Sequence, residues 1–437
     1  MEEAGEKDPG KQTSVRLFRE PSTSLRSAVV PALEKPRVPS SPAPAPGRAD
    51  LDRHWLGRAI ELAEAGRGRV EPNPVVGAVV LDREGRKAGE GWHAAFGGPH
   101  AEVIALRAAG PRARGGTLYV SLEPCAHQGK TPPCTGAILE AGVARVVAAL
   151  ADPNPVAGGG AAILARAGIP TEVGVHPDEA ALARRQNAPF VKLVTRGLPF
   201  VTLKWAMTLD GKIASVAGDS RFISGEAARR RVHEMRDLTC AVLAGIGTVL
   251  ADDPWLTTRL DDRDGRTALR VVVDSSARLP LGSRLVSTAA LGPVLVATTL
   301  AAPEERVAAL RARGVLVEPF GPGPEVDLEA LLRALARRPP RAVANLLVEG
   351  GGRVHAAFVE AGLADRVAVF VAPKLLGGAE AMTPVEGRGF ARLAEALKVA
   401  SLRATPVGED WLLEGEIESA SPGGEGGLCT TEVDSRR

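Results

Sequence analysis

The sequence contains few cysteines, few aromatic residues and no long apolar run. Four cysteines in 437 residues are too few for a disulfide scaffold, so a reducing, cytoplasmic compartment is expected. Aromatic residues make up only 3% of the chain, which disfavours a surface that stacks single-stranded bases. Since no run of about 18 apolar residues occurs, we expect no membrane-spanning helix.

The chain also lacks a strong net charge. Its 54 Lys and Arg residues nearly balance its 52 Asp and Glu residues, so no general electrostatic field attracts nucleic acid or a membrane. Hydrophobic residues make up 45% of the chain, which is typical of a globular protein with a full core. At roughly 150 residues per domain, the length predicts about three domains, or two domains with unfolded ends.

Both ends of the chain are predicted to be disordered tails. Residues 1–49 are polar and then rich in proline, and residues 419–437 are rich in glycine. Between them, strand-like and helix-like segments alternate, which predicts α/β domains with open sheets covered by helices. The boundaries are expected at residues 50–196 and 197–418. Asp52 is predicted to cap the first helix.

The strongest chemical signal is a histidine, a glutamate and two cysteines in the first half. His100 and Glu102 lie in PHAE, and eight residues, AHQGKTPP, separate Cys125 from Cys134. A catalytic zinc ion commonly takes three nitrogen and sulfur ligands and keeps a fourth position for water, so His100, Cys125 and Cys134 are predicted as ligands. Pro99 suits the first position of a helix, which places His100 in the opening turn. Glu102 can then carry protons, as in zinc deaminases of nucleobase-like rings.

Two features bear on the alternatives to a deaminase site. A purely structural zinc ion would need a fourth protein ligand, and His127 is the only near candidate. Deaminases of nucleic acids carry the two cysteines as Cys-x-x-Cys, whereas the spacing here is much longer. The inserted loop is expected to overhang the pocket and to contact a small polar substrate.

The second half carries glycine-rich junctions but no G-x-G-x-x-G after a strand, so the usual dinucleotide fingerprint is absent. Three segments are predicted as a strand end followed by small residues and a helix: AMTLDGKIA (206–214), AGIGTVLADDPWLTTR (244–259) and VEGGGRVHAAF (348–358). Such junctions present free backbone N–H groups that suit phosphates, although they are also common without ligands. Asp252 and Asp253 are predicted to be buried or to cap and stop a helix. Arg236 and Arg259 are predicted as surface charges or as phosphate-binding side chains.

Four segments of the first half resemble the deaminase domain of the bifunctional riboflavin-biosynthesis deaminase/reductase family: PNPVVGAVV (72–80), GWHAAFGGPHAE (91–102), SLEPCAHQGKTPPC (121–134) and DPNP (152–155). The resemblance implies a cytidine-deaminase-like α/β/α domain with the zinc ligands and proton shuttle named above. It also implies that Asn73 and His93 contact the substrate.

The second half resembles the reductase domain of the same family, which is similar to dihydrofolate reductase in fold and uses NADPH. The resemblance implies that Lys204 is catalytic. It assigns seven residues to cofactor binding: Ala206, Phe222, Thr248, Asp252, Ser275, Gly351 and Gly352. It assigns five residues to substrate binding: Ser220, Arg236, Leu256, Arg259 and Glu349.

The family implies two consecutive reactions of a small phosphorylated pyrimidine. The first domain would deaminate 2,5-diamino-6-(5-phosphoribosylamino)pyrimidin-4-one hydrolytically with Zn²⁺, and the second would reduce the ribosyl side chain to ribityl with NADPH. The family also implies a homo-oligomer. Three other functions stay open: a nucleoside or nucleic-acid zinc deaminase fused to an unrelated domain, a reductase with an inactive deaminase domain, and a non-enzymatic zinc scaffold.

Overall fold

The computed structural model of this chain describes residues 47–221 and 223–418. They form two sheets with their helices, one on each side of a junction near residue 197. Apart from residues 47–49, both predicted tails lie outside the described residues. The first helix begins at Arg48, inside the segment predicted as a tail.

Five strands form the first sheet within the described residues: β1 (Gly77–Leu81), β2 (Lys87–Trp92), β3 (Thr117–Val120), β4 (Arg145–Ala148) and β5 (Thr171–Val173). Their order is β2-β1-β3-β4-β5, with β1 antiparallel to both of its neighbours and β3, β4 and β5 parallel. Every residue of β1 and β4 is buried, as expected for apolar strands covered on both faces.

The described part of this half has six α-helices: α1 (Arg48–Ala63), α2 (Ala101–Ala109), α3 (Cys134–Ala141), α4 (Gly160–Arg166), α5 (Pro177–Gln186) and α6 (Ala188–Arg196). A Cβ on Gly77 would lie 2.1 Å from the Ala59 carbonyl oxygen of α1, and one on Gly91 would lie 2.6 Å from Ile104 of α2. Gly91 pairs with Ala78, the neighbour of Gly77, so the two glycines face opposite sides of the sheet. Helices therefore cover both faces, which gives the predicted α/β/α layers.

Nine strands form the second sheet between residues 200 and 417 of the described chain: β6 (Phe200–Thr208), β7 (Ala241–Gly245), β8 (Leu269–Val273), β9 (Val294–Thr298), β10 (Leu316–Pro319), β11 (Asn345–Val348), β12 (Arg366–Ala372), β13 (Val399–Val407) and β14 (Asp410–Ile417). Their order is β10-β9-β8-β7-β11-β6-β12-β14-β13. The seven strands from β10 to β12 are parallel, and the β14–β13 hairpin adds an antiparallel edge.

Six further α-helices belong to the second sheet over the same described stretch: α7 (Glu226–Asp237), α8 (Ile246–Asp252), α9 (Arg284–Ser287), α10 (Glu304–Arg311), α11 (Leu328–Leu335) and α12 (Gly352–Glu360). Leu243 in β7 belongs to one apolar core, and its neighbours Val242 and Ala244 belong to another. Because side chains alternate along a strand, the two cores lie on opposite faces of the sheet.

The strand order changes direction between β7 and β11. From β7 the chain runs outward to β8, β9 and β10, whereas β11 is followed by β12 on the other side of β6. In open α/β sheets, ligands bind in the crevice beyond the carboxyl ends of strands at such a switch point. The strand order therefore indicates a ligand site beside Glu349, directly after β11.

Several local predictions were wrong. Asp52 does not cap α1, which begins at Arg48; it lies buried inside the helix and binds Arg145 and Tyr119. No helix directly follows β6, because the chain makes a turn and the next helix begins at Glu226. Asp252 is exposed rather than buried, but α8 ends at this residue and Asp253 is its C-cap, as the other part of the prediction stated.

Strands β2, β13 and β14 were not predicted. β2 contains two glycines, and most of β13 is exposed, so neither shows an alternating apolar pattern. Pairing with β1 and β14 makes these segments strands, which is a tertiary effect.

None of the helices in the described part of the chain combines the length and the apolar character that a membrane crossing requires.

Candidate active sites

The three side chains predicted as zinc ligands come together in the first half. His100 is the N-cap of α2, Cys125 lies in the loop after β3, and Cys134 is the first residue of α3. His100 Nδ1 lies 3.2 Å from Cys134 Sγ and 3.5 Å from Cys125 Sγ, and the three ligand atoms lie within 4.8 Å of one another. Zn–N bonds of about 2.0 Å and Zn–S bonds of about 2.3 Å at tetrahedral angles require an N···S distance of about 3.5 Å. The cluster therefore fits a zinc ion with three protein ligands.

The start of α2 differs slightly from the prediction. Pro99 is not the first helical residue, because the helix begins at Ala101. His100 Nε2 lies 3.4 Å from the hydroxyl of Thr131, in the loop between the two cysteines. If Nδ1 binds the metal, Nε2 carries the proton and donates a hydrogen bond to the Thr131 hydroxyl, which then orients the ring.

Glu102 and Cys125 have altered acidities for different reasons. Burial raises the pKa of Glu102, which is 3% exposed, to about 7. The carboxyl can thus gain and lose a proton near neutral pH. Hydrogen bonds from Cys134 and His100 lower the pKa of the Cys125 thiol, which favours the thiolate form that binds metals.

A cavity of about 340 Å³ opens beside the cluster. Both predicted substrate residues, Asn73 and His93, line it. His93 Nδ1 lies 3.0 Å from the Pro99 carbonyl oxygen, and its Nε2 lies 3.3 Å from Asn73 Nδ2. Burial lowers the pKa of His93, so the ring is neutral, donates from Nδ1 and accepts from Asn73 at Nε2. The amide oxygen of Asn73 is then free to accept from a substrate.

Several cavity residues were missed in the sequence: Phe96, Glu123, Asp152, Asn154 and Phe190. Glu123 accepts the backbone N–H of Asp152 at 3.1 Å and so ties the loop after β4 to the loop after β3. Burial raises the pKa of Asp152 to about 6. The DPNP segment was the available signal for Asp152 and Asn154. His127 lines the cavity but does not belong to the three-ligand cluster found among the described residues.

In the second half, three predicted residues form a half-buried ion cluster at the switch point. Glu349 accepts two hydrogen bonds from Arg236, at 2.6 and 2.9 Å, and lies 3.4 Å from Lys204 Nζ. Burial alone would raise the pKa of Glu349, but Arg236 and Lys204 outweigh it and lower the pKa to about 2. Burial lowers the pKa of Lys204, although Glu349 opposes this.

The other predicted substrate residues lie on loops around α8. Ser220 Oγ donates to Asp252 at 2.9 Å, which joins a substrate candidate to a cofactor candidate. Leu256 is buried, with a left-handed backbone at φ +51°. Arg259 donates from Nη1 to the Thr257 hydroxyl at 3.0 Å.

The predicted cofactor residues lie at or near the carboxyl ends of the parallel strands. A Cβ on Gly351, the N-cap of α12, would lie 3.3 Å from Thr248 Oγ1, so α8 and α12 begin close together between β7 and β11. A Cβ on Gly352 would lie 2.6 Å from the Thr383 carbonyl oxygen. Helix N-termini present free N–H groups that suit a pyrophosphate, so the start of α12 is a candidate site for the phosphates of a dinucleotide.

The remaining cofactor candidates are spread more widely. Ala206 lies within β6, and Ser275 follows β8, one strand from the crevice on the outer side of β7. The Ser275 carbonyl accepts hydrogen bonds from the hydroxyls of Thr298 and Thr299, at 3.0 Å each. Phe222 lies outside the described residues.

Both halves match known family models. Residues 50–150 match the cytidine and deoxycytidylate deaminase zinc-binding region, and residues 199–413 match the RibD C-terminal domain. The second match removes the alternative in which a deaminase is fused to an unrelated domain.

Individual relatives and solved structures match most of the chain. The chain is 39% identical over 368 residues to riboflavin biosynthesis protein RibD of Aquifex aeolicus, covering 83% of this chain and 98% of the relative. It is 38% identical over 371 residues to the Escherichia coli protein of the same name, covering 82% and 97%. The structure of Acinetobacter baumannii RibD superposes with a TM-score of 0.75 at 37% identity, covering 84% of this chain and 99% of that one. A Thermotoga maritima diaminohydroxyphosphoribosylaminopyrimidine deaminase/5-amino-6-(5-phosphoribosylamino)uracil reductase gives a TM-score of 0.71 at 38% identity, with the same coverage.

Proposed function

Because this chain belongs to the RibD family of bifunctional deaminase/reductase enzymes of riboflavin biosynthesis, we propose its substrates and the residues that carry its two reactions. The first reaction is the hydrolytic deamination of 2,5-diamino-6-(5-phosphoribosylamino)pyrimidin-4-one. The second reduces the ribosyl side chain of the deaminated product to ribityl. The observation that carries the proposal is the His100, Cys125 and Cys134 cluster, with Glu102 buried beside it in a cavity lined by Asn73.

The deaminase roles follow from the chemistry of these side chains. The cluster would hold a zinc ion, which when bound makes water nucleophilic at neutral pH. Glu102 takes a proton at its carboxylate from the attacking water and passes it to the departing amine, because its carboxyl group is buried in the cavity wall beside the cluster. Asn73 orients the pyrimidine ring with its free amide oxygen, while His93 holds the amide in place.

The reductase roles rest on the crevice between β7 and β11. Gly351 and Gly352 would hold NADPH at the start of α12, and the cofactor supplies the hydride when bound. Opening the sugar ring also requires a proton at the ring oxygen, and Lys204 holds one at Nζ. Glu349 positions Lys204 and Arg236, and Arg236 faces the substrate.

Location and assembly belong to the same proposal. A cytoplasmic location is supported by the two cysteine ligands, which must stay reduced to bind zinc. A homo-oligomer follows from the family resemblance alone, and its state remains a prediction. The substrate is a small phosphorylated pyrimidine rather than a nucleic acid, as the near-zero net charge supports.

Turnover of the diamino substrate, followed by mass spectrometry, tests this function. Without NADPH the product should have one amino group replaced by oxygen. With NADPH it should gain two further hydrogens, and NADPH should be oxidised in equal amount. Protein stripped of zinc by a chelator is the control and should retain only the second activity. Unchanged diamino substrate after incubation with the zinc-loaded protein would exclude the proposed first reaction.

A further inference from the structure

Two cations converge on one aromatic ring at the wall of the deaminase cavity. The half-buried Phe96 lines this cavity. Lys130 Nζ lies 4.0 Å from the centroid of its ring, and Arg341 Cζ lies 4.6 Å from the same centroid. Lys130 belongs to the loop between the cysteine ligands, whereas Arg341 precedes β11 in the second half of the chain. Each half of the molecule thus places a positive charge on the same ring.

Neither cation is neutralised by a carboxylate in the described part of the structure. Both side chains are exposed, and no ion pair of the described residues includes either of them. A cation–π contact at an exposed site contributes only about 0.5–1 kcal/mol, and the two like charges repel each other. An anion bound at the edge of the ring would attract both cationic side chains and so offset the repulsion between them.

The charge distribution along the cavity indicates that the anionic group of a ligand would lie at this wall. Of the described residues that line the cavity, Lys130 is the only lysine or arginine. Its lining also includes the carboxyl groups of Glu102, Glu123 and Asp152. A ligand that carries a dianion at one end and an uncharged ring at the other would therefore turn its dianion toward Lys130 and its ring toward Glu102.

The position of Phe96 also depends on the second half. Its backbone N–H donates to the Arg69 carbonyl oxygen at 3.1 Å. The Arg69 side chain in turn donates to the carboxylate of Asp237, the last residue of α7, at 3.2 Å. Asp237 is 1% exposed, so Arg69 contacts a buried carboxylate. The segment that presents the ring is thus held against the half that supplies Arg341.

We propose that Arg341 and Lys130 bind the 5′-phosphate of the deaminase substrate at the edge of Phe96. The second half of the chain then completes the substrate site of the first. This assignment rests on the proposed function, which supplies a substrate with a phosphate. Arg341 and Lys130 determine specificity for the phosphorylated substrate and take no part in the chemical step.

Steady-state deamination by the zinc-loaded full chain tests the assignment with two substrates, the phosphorylated compound and its dephosphorylated form. Arg341→Ala should raise KM for the phosphorylated compound by about 10- to 100-fold with kcat nearly unchanged, as loss of a charge-assisted contact predicts. Its KM for the dephosphorylated form should equal that of the wild type. Lys130→Ala should act in the same way, and Arg341→Lys should recover part of the loss.

Arg337→Ala is the matched control, because Arg337 is an exposed arginine four residues earlier in the same half. It removes the same charge and should leave both KM values unchanged. Reduction of the deaminated substrate should proceed at the wild-type rate in Arg341→Ala, which also shows that the variant is folded.

Two results would overturn the assignment alone: a wild-type KM for the phosphorylated substrate in Arg341→Ala, or an equal loss with both substrates. The second result would mean that Arg341 acts only by packing on the ring. A wild-type protein that deaminates neither substrate would instead overturn the proposed function, and this assignment with it.

Discussion

Arg236 and Glu349 form a two-point ion pair, with Nε 2.6 Å from Oε1 and Nη2 2.9 Å from Oε2. Lys204 Nζ lies 3.4 Å from the same Oε2, so two cations share one buried carboxylate. The three side chains together carry one net positive charge, which suits a site for a phosphorylated substrate. Glu349 is thereby a positioning residue, since both of its oxygens are already occupied.

Glu349→Gln is expected to impair reduction selectively. The amide keeps the shape but removes the charge that holds Arg236 and Lys204, so kcat/KM for the deaminated substrate should fall about 100-fold. Deamination by the same protein should be unchanged. Glu329→Gln is the control, because Glu329 pairs with Arg333 on the exposed surface of α11. Normal NADPH oxidation by Glu349→Gln would remove this residue from the reductase site.

Glu102→Gln is expected to abolish deamination and to spare the metal. Loss of a general acid–base group lowers the rate by about 10²- to 10⁴-fold. Metal analysis should find the zinc content of the wild type, because Glu102 is not one of the ligands, and NADPH oxidation with deaminated substrate should continue. Glu140→Gln, on the exposed side of α3, should retain full activity. Ammonia release at the wild-type rate by Glu102→Gln would refute the assigned role.

Thr131→Val is expected to weaken zinc binding without removing a ligand. Its hydroxyl lies 3.4 Å from His100 Nε2, and loss of such a partner typically costs 10- to 100-fold in metal affinity. Competition with a chelator measures the affinity. Thr131→Ser keeps the hydroxyl and is the matched control. Equal zinc affinity in the valine and serine variants would show that the ring is oriented by other contacts.

Asp52→Asn is expected to destabilise the first half of the molecule. Arg145 donates to both Asp52 oxygens at 2.7 Å, and the Tyr119 hydroxyl donates at 2.7 Å. Breaking a buried charge pair costs about 3–5 kcal/mol, which should appear in the free energy of unfolding in urea. The control is Asp50→Asn. Asp50 is exposed and lies two residues before Asp52 in α1, so its substitution should cost less than about 1 kcal/mol. Similar effects of the two substitutions would contradict the buried pair.

His233 is expected to contribute to acid sensitivity. Burial and the neighbouring Arg236 and Arg259 lower the pKa of His233 to about 4, from an ordinary value of 6.5. The folded state therefore keeps the ring neutral, while the unfolded state takes up a proton below pH 6.5. His233 therefore does not affect the free energy of unfolding above pH 6.5, and it lowers this free energy progressively as the pH falls from 6.5 toward 4.

The substitution His233→Asn tests this pH dependence. An asparagine oxygen can still accept the Arg259 backbone N–H, which His233 Nδ1 accepts at 3.3 Å, but it does not titrate. The thermal midpoint of the variant should fall less steeply than that of the wild type between pH 6.5 and 4. His54→Asn, at an exposed position of α1, should follow the wild type. Parallel curves for His233→Asn and the wild type would contradict the lowered pKa.

The cluster of candidate zinc ligands and most strands were predictable from the chain, whereas the partners of the charged residues were not. Ligand chemistry limits zinc to a few residue types, so His100, Cys125 and Cys134 stand out in order and spacing. Buried parallel strands such as β7 are continuous apolar runs and can be identified locally. The environment of Asp52 has no such local signature, because its partner Arg145 lies 93 residues away.

The sequence by itself determined the α/β class, the zinc cluster with its glutamate, and the resemblance to a two-step enzyme. These depend on residue type, periodicity and order, all of which are local. Only the tertiary structure decided that Thr131 meets the His100 ring, that Glu349 is shared by two cations, and that Lys130 and Arg341 meet at Phe96. Such contacts join residues far apart in the chain, and they exist because packing of the sheets and helices, rather than sequence spacing, sets the distances between side chains.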